Sequence, residues 1–199
     1  QGILQRFADE GANCVVSDIA VDDEANGVAK ELQTRGAKTA VIACNVSDAA
    51  ACNRLVSETV KTFGGIDIMV NNAGIGFMME PLLDVAPEDW AKVIGVNLSG
   101  AFHCTQAAAK AMIDQGRGGR IINIASQAAK SGFTHLAAYV SSKHGMVGLT
   151  RASAIELGSS GITVNAVCPN HVTTALGAEQ NAYFSKLLGF ETVEAYLAN

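Results

Sequence analysis

Tyr139 and Lys143 stand four residues apart in Tyr139-Val140-Ser141-Ser142-Lys143. On a helix this spacing sets a phenol and an ammonium one above the other on the same face. A phenol, with a reference pKa of roughly 10, is a weak base near neutrality. A cation about 4 Å away contributes up to roughly 4 kcal/mol at an effective dielectric of 20, enough to lower that pKa by up to about three pH units. A tyrosine so placed can exchange a proton with an alcohol or a carbonyl oxygen. Taken alone such a pair is usually an ordinary surface pair, so its setting decides. Ser126 follows the run Ile121-Ile122-Asn123-Ile124-Ala125 and precedes Tyr139 by 13 residues. A strand, a loop and a helix start can therefore bring a hydroxyl, a phenol and an ammonium together.

The elements that must position these groups are read from apolar periodicity. Ile3, Leu4, Phe7 and Ala8 mark the end of a helix closed by Gly11, and a short strand follows at 14–17. Ala25, Val28, Ala29 and Leu32 mark a second helix ending at Gly36, before a buried strand at 39–44. The alternation predicts a helix over 48–63, a strand at 66–70, two helices at 87–96 and 99–115, a strand at 120–125, a helix at 138–157 and a strand at 163–168. Two short helices are expected at 180–188 and 192–197. Strands buried on both faces and joined by helix-length crossovers specify an α/β fold, a doubly wound parallel sheet of the Rossmann type in three α/β/α layers. Residues 1–199 read as a single dinucleotide-binding and catalytic domain, with 170–199 as a substrate-binding loop region beyond the carboxyl ends of the strands.

A serine after a strand, followed at this separation by a YxxxK helix, resembles the short-chain dehydrogenase/reductase (SDR) family, and further motifs come in the family's order. Asn71-Asn72-Ala73-Gly74 is similar to its NNAG turn, and Val96-Asn97-Leu98-Ser99-Gly100 carries its fourth catalytic residue at Asn97. Pro169, Val172 and Thr174 fall on its PGxVxT segment, with Asn170 in place of the glycine. That exchange is mild where the position has a positive φ. The resemblance implies a catalytic set of Ser126, Tyr139, Lys143 and Asn97, the last tethering a water that links the lysine to solvent. It implies a cofactor site of Asp18, Asn45, Val46, Asn72, Ala73, Gly74, Tyr139, Lys143, Pro169, Val172 and Thr174. Asn45 stands where the family usually has Asp, and its carbonyl oxygen can still accept from the adenine amino group. The family's glycine-rich TGxxxGxG turn and first strand would precede Gln1, and one further strand would follow Asn199. Without its first and last strands the sheet is expected to have a central gap exposing two strand edges.

Asp18 closes the strand at 14–17, where a carboxylate accepts from ribose hydroxyls and repels a 2′-phosphate, and Ile19-Ala20-Val21 provide no arginine for such a phosphate. The cofactor expected is NAD rather than NADP. Gln127, His135 and His171 are substrate candidates by position, and such a polar edge suits a small polyol, diol or hydroxy acid. The expected function is NAD(H)-dependent interconversion of a secondary alcohol and its ketone, with Tyr139 as general acid and base. An NADPH-dependent carbonyl or 3-oxoacyl reductase with the same residues, and a non-catalytic dinucleotide-binding protein of the same fold, are the alternatives.

The bulk properties agree. Over 199 residues, 49% are hydrophobic and 17% charged, sufficient for one well-buried domain. A net charge of -5 without a Lys/Arg cluster disfavours nucleic acid as a partner. The longest uncharged stretch, 93–109, is broken by Asn97, Ser99, His103, Thr105 and Gln106, so no bilayer span is expected. Five cysteines without a CxxC pair read as reduced core residues of a cytoplasmic protein, and no metal site is expected. Small residues on the helices beginning at Ser99 and Ala138 allow close approach between subunits, and the resemblance implies a homotetramer.

Overall fold

Pairing of the strands follows the apolar runs. The computed structural model describes residues 1–76, 79–170 and 175–198. Within them helix and strand alternate as α1 (Gly2–Asp9), β1 (Cys14–Asp18), α2 (Asp23–Thr34), β2 (Thr39–Ala43), α3 (Ala49–Phe63), β3 (Ile68–Asn71), α4 (Pro87–Ile94), α5 (Gly100–Gln115), β4 (Gly119–Ile124), α6 (Ala137–Leu157), β5 (Ile162–Val167), α7 (Ala175–Leu187) and α8 (Val193–Leu197). Strands β1 and β2 form one parallel sheet, and β3, β4 and β5 a second, in that order. The expected gap thus lies between β1 and β3, each with one edge unpaired among the described residues.

Side-chain alternation assigns the layers, because successive residues of a strand face opposite sides. Cys14 and Val16 of β1 join Ala8 of α1 and Ala25, Ala29 and Leu32 of α2 in one cluster. Val15 instead packs against a second cluster, in which Cys52, Leu55 and Val56 of α3 and Cys104, Ala108 and Met112 of α5 meet Met69, Ile121, Ile162 and Val164. This second cluster spans both sheets, so α3 and α5 hold them together across the gap. The other face of the three-stranded sheet is open among the described residues, with Ile68 40% and Val167 49% exposed. All five cysteines are free. Burial pushes the Cys44 and Cys52 thiols up to about 12 and Cys104 up to about 11, which keeps all three protonated.

The two helices expected at 87–96 and 99–115 are one rod. Helix α4 starts at Pro87, where the missing N–H costs nothing, and passes through a single π-helical turn, Gly95–Ser99, into α5. Gly95 and Gly100 both keep right-handed helical angles, so neither ends the helix. Among the described residues no helix is long and apolar enough to cross a membrane.

A polar ladder runs through this apolar core. Asn71 Nδ2 donates to Asn123 Oδ1 (2.7 Å) and to Thr105 Oγ1 (3.0 Å), and Asn123 Nδ2 donates to Thr150 Oγ1 (2.8 Å). All four residues are buried, and Asn123 is fully enclosed. The ladder joins β3, β4, α5 and α6 just below the strand ends. Asn123→Ala removes two of these bonds and leaves buried partners unsatisfied, an expected loss of about 2–3 kcal/mol and of roughly 5–10 °C in Tm. A melting temperature within a degree of wild type would show that the ladder contributes nothing.

Candidate active site

Two turns of chain build the centre of the site. Strand β4 ends at Ile124, and Ser126, in extended backbone, caps the 3-10 turn Gln127–Ala129 by accepting from Ala128 N at 3.1 Å. Helix α6 begins at Ala137, which puts Tyr139 in its first turn and Lys143 one turn later. The Ser126 hydroxyl is near enough to the Tyr139 phenol to act on its ionisation. Burial raises the phenol above its ordinary pKa, and the bond from Ser126 offsets part of that rise.

Lys143 is 4% exposed, and its Nζ donates to the Ile124 carbonyl at 2.8 Å while lying 5.6 Å from the centroid of the Tyr139 ring. Burial lowers its pKa to about 8, against a partial rise caused by Cys168. This corrects the simple electrostatic expectation from the i,i+4 spacing. The backbone carbonyl at the strand end captures the ammonium and holds it over the ring face, so desolvation dominates the Tyr139 pKa.

Asn97 occupies the middle of the π-helical turn and is fully buried. Its Oδ1 accepts from Ile75 N at 2.8 Å, and its Nδ2 donates to Ile75 O at 2.7 Å and to Ser142 Oγ at 3.2 Å. The hydroxyl of Ser142 in turn donates to Tyr139 O at 2.7 Å. Asn97 thereby ties the loop after β3 to α6. π-turns inside helices recur at functional sites, where they redirect one side chain. Helix α6 packs closely on this turn at Gly145, where a Cβ would lie 2.7 Å from Leu98 Cδ2 and displace that side chain. A Cβ on Gly74 would lie 3.4 Å from Asn97 Oδ1 and 3.8 Å from Lys143 Nζ, which puts the loop backbone beside both.

The structure thus brings Ser126, Tyr139, Lys143 and Asn97 together. The candidates for cofactor contact sit at strand ends. Asp18 is exposed, with Oδ1 accepting from Ile19 N at 2.6 Å, and has no salt-bridge partner among the described residues. Asn72, Ala73 and Gly74 form an exposed loop after β3. Asn45 Oδ1 already accepts from Ser47 N (3.1 Å) and Ser47 Oγ (2.7 Å), so the oxygen expected to meet an adenine amino group is engaged in an Asx turn. The Val46 carbonyl faces His103 Nδ1 at 3.1 Å. Pro169 O accepts from Gln127 N at 2.8 Å. His171, Val172 and Thr174 lie outside the described residues. Asn170 does not take the positive φ that would excuse its replacement of glycine; among the described residues His135, at 61°, is the one non-glycine that does.

Of the substrate candidates, Gln127 carries a buried Oε1 without a hydrogen-bond partner among the described residues, and His135 Nδ1 is 2.7 Å from Tyr183 Oη. Sequence reasoning missed Ile75 and Ser142, the partners of Asn97. Ser142 stood in plain view inside the YxxxK segment, three residues after Tyr139. No group of three or more His, Cys, Asp or Glu is placed to hold a metal among the described residues.

The profile described as short chain dehydrogenase matches residues 1–183. A 3-oxoacyl-[acyl-carrier-protein] reductase, FabG, of Staphylococcus aureus is 38% identical over 174 residues, covering 87% of this chain and 70% of the relative. The (2S)-[(R)-hydroxy(phenyl)methyl]succinyl-CoA dehydrogenase subunit BbsD of Thauera aromatica is 41% identical over 174 residues, covering 87% and 68%. Among solved structures, an NAD+-bound xylitol dehydrogenase superposes with a TM-score of 0.86 at 32% identity, covering 92% of this chain and 70% of that one. A putative short-chain alcohol dehydrogenase from Sinorhizobium meliloti superposes with a TM-score of 0.84 at 34% identity, covering 94% and 74%.

Proposed function

Because the chain belongs to the short-chain dehydrogenase family and is an oxidoreductase acting on CH–OH groups, we propose that it interconverts a secondary alcohol and its ketone with NAD(H), using Tyr139 as the proton-transferring group. The buried Lys143, with its Nζ 5.6 Å from the centroid of the Tyr139 ring, together with Ser126 acting on the same phenol, carries this reading. The family's nicotinamide dinucleotide supplies the hydride acceptor or donor. The residues present fit its two ends. Lys143 spends one N–H on Ile124 O and keeps others for a ribose hydroxyl beside the Gly74 backbone, and the exposed Asp18 carboxylate suits the adenosine ribose. No glycine-rich helix-opening turn for the pyrophosphate occurs within residues 1–199.

In the direction of reduction, Ser126 and Tyr139 donate hydrogen bonds to the carbonyl oxygen, and the Tyr139 proton moves to that oxygen as the carbon gains hydride. In the reverse direction the phenolate takes the hydroxyl proton. Asn97 and Ser142 fix the first turns of α6 and so aim the phenol, while Lys143 holds positive charge beneath its ring.

An NADPH-dependent 3-oxoacyl reductase is the second reading, its reaction, though not its cofactor, being the one in the name of the Staphylococcus aureus relative. Asp18 separates the two, because a carboxylate at the end of β1 repels a 2′-phosphate. In the full-length protein kcat/KM with NADH is expected to exceed that with NADPH by at least about tenfold, one decade being about 1.4 kcal/mol, and Asp18→Ser narrows the ratio. A tenfold preference of the wild type for NADPH refutes the NAD assignment; inactivity with both cofactors towards every ketone refutes the enzymatic one.

A further inference from the structure

We propose that a cavity of about 360 Å3 beside the site, walled by Pro81, Leu82, Phe133, Thr134, His135 and Ala137, receives an alkyl or aryl substituent of the substrate, an inference that rests on the alcohol/ketone reading above. Its volume falls in the range of small-molecule pockets, about 300–1,000 Å3.

Chain continuity joins the cavity to the reacting centre. Ala137 opens α6 two residues before Tyr139. On the other wall, Pro81 stands five residues after Gly76, whose Cβ position lies 3.8 Å from Tyr139 Cε2. A residue of each cavity wall thus stands within five positions of the Tyr139 ring or of a residue beside it.

A clamp holds those walls apart. Glu80 N donates to His135 O at 3.1 Å, His135 Nδ1 meets Tyr183 Oη at 2.7 Å, and Tyr183 Oη donates to Met79 O at 3.3 Å. His135 takes a φ of 61° in making these bonds, a conformation that L side chains rarely adopt and that persists only where surrounding contacts impose it. Behind it the Phe133 ring meets Phe184 at 6.4 Å, and Phe184 meets Tyr183 at 5.7 Å and Tyr196 at 6.5 Å. The segments 79–82 and 133–137 are thus fixed to α7 and α8 at a set separation.

The chemistry of the lining names the occupant. Among the described residues no charged side chain borders the cavity, and the polar side chains on it are the Thr134 hydroxyl and a His135 ring already bonded at Nδ1. Hydroxyls of a polyol placed against Pro81, Leu82, Phe133 and Ala137 would lose water without gaining partners. A hydrocarbon chain or a ring gains burial on the same walls. The inference replaces the small-polyol expectation, in which His135 was a direct polar contact. His135 is instead a positioning residue that shapes the subsite.

Kinetics on the full-length enzyme with a homologous series of methyl ketones, from butan-2-one to decan-2-one, and with 1-phenylethanone test this. In the wild type kcat/KM is expected to rise by roughly fourfold for each methylene that reaches the cavity and then to level off. Leu82→Asp, at a side chain 72% exposed, is expected to flatten that rise, with a loss that grows along the series. Turnover of butan-2-one without dependence on chain length overturns the subsite but not the alcohol/ketone reading, as does a polyol preferred over every longer ketone. Equal loss of all members in Leu82→Asp overturns it too, since that marks a general structural effect. Failure of every ketone and alcohol with either cofactor removes the underlying reading, and the subsite with it.

Discussion

Tyr139→Phe in the full-length enzyme is expected to lose at least about a thousandfold in kcat, within the range of roughly 10²–10⁴ that a positioned acid or base contributes, while NADH binds with unchanged affinity. Only the hydroxyl is removed. The ring continues to fill its place over Lys143, and the backbone carbonyl of residue 139 still accepts from Ser142. Cofactor contacts assigned to Asp18, the loop at Asn72–Gly74 and Lys143 do not pass through the phenol oxygen. Single-turnover reduction of a ketone measures the first quantity, and quenching of NADH fluorescence the second. Turnover within tenfold of wild type removes Tyr139 from proton transfer. A large loss of NADH affinity would instead show that the hydroxyl holds the cofactor.

The parts of this site that sequence disclosed are those set by strand ends and helix periodicity. Ser126 follows an apolar strand and Tyr139 begins a helix, and both facts are local. Asn97 is recognisable as a motif residue, but its place in the chain is not: a π-helical turn leaves no periodicity of its own, and the apolar pattern reads as two helices at 87–96 and 99–115. The polar ladder had one visible sign, Asn123 within an otherwise apolar strand, yet its partners Asn71 and Thr150 are 52 and 27 residues away. Contacts of that separation depend on how β3, β4 and α6 stack, which no local pattern encodes. The engagement of Asn45 Oδ1 by Ser47 was closer to hand, since Asn-x-Ser is a common turn former.

Aromatic residues near the end of the chain show the same limit from another side. Tyr183, Phe184, Phe190 and Tyr196 have weak periodicity and suggested only short helices. In the structure they pack on one another, and Tyr183 packs on His135, more than forty residues earlier. Position alone made His135 a candidate for substrate contact. Its positive φ and its bond to Tyr183 show that it also ties the 133–137 segment to α7.

Lys143→Ala is expected to damage both binding and turnover, because one buried ammonium serves both. Its removal leaves the Ile124 carbonyl without its partner and empties the space beside Asn97 and Gly74 where a ribose hydroxyl would be held. A rise in the NADH dissociation constant of at least about tenfold, together with a fall in kcat of roughly a hundredfold or more, follows from losing a charge-assisted donor in a water-poor site. The pH profile tests the charge itself. Lys143 has a pKa lowered to about 8 by burial, whereas burial raises that of Tyr139, so across the neutral range the phenol stays protonated and the lysine is the group that titrates. Ketone reduction needs both protons, so its kcat/KM is expected to be level below about pH 8 and to decline above it. Lys143→Arg, which stays protonated, removes that decline from whatever activity remains. Stability runs the other way. The folded-state pKa is lower than the ordinary lysine value of 10.5, so the cost of burying the ammonium is present in full below about pH 8 and disappears as pH rises towards 10.5. Measured against Lys143→Met, wild-type Tm should therefore gain over that window. A reduction rate that climbs from pH 8 to 10, or a Tm difference that does not change with pH, would show that Lys143 is not the group titrating there.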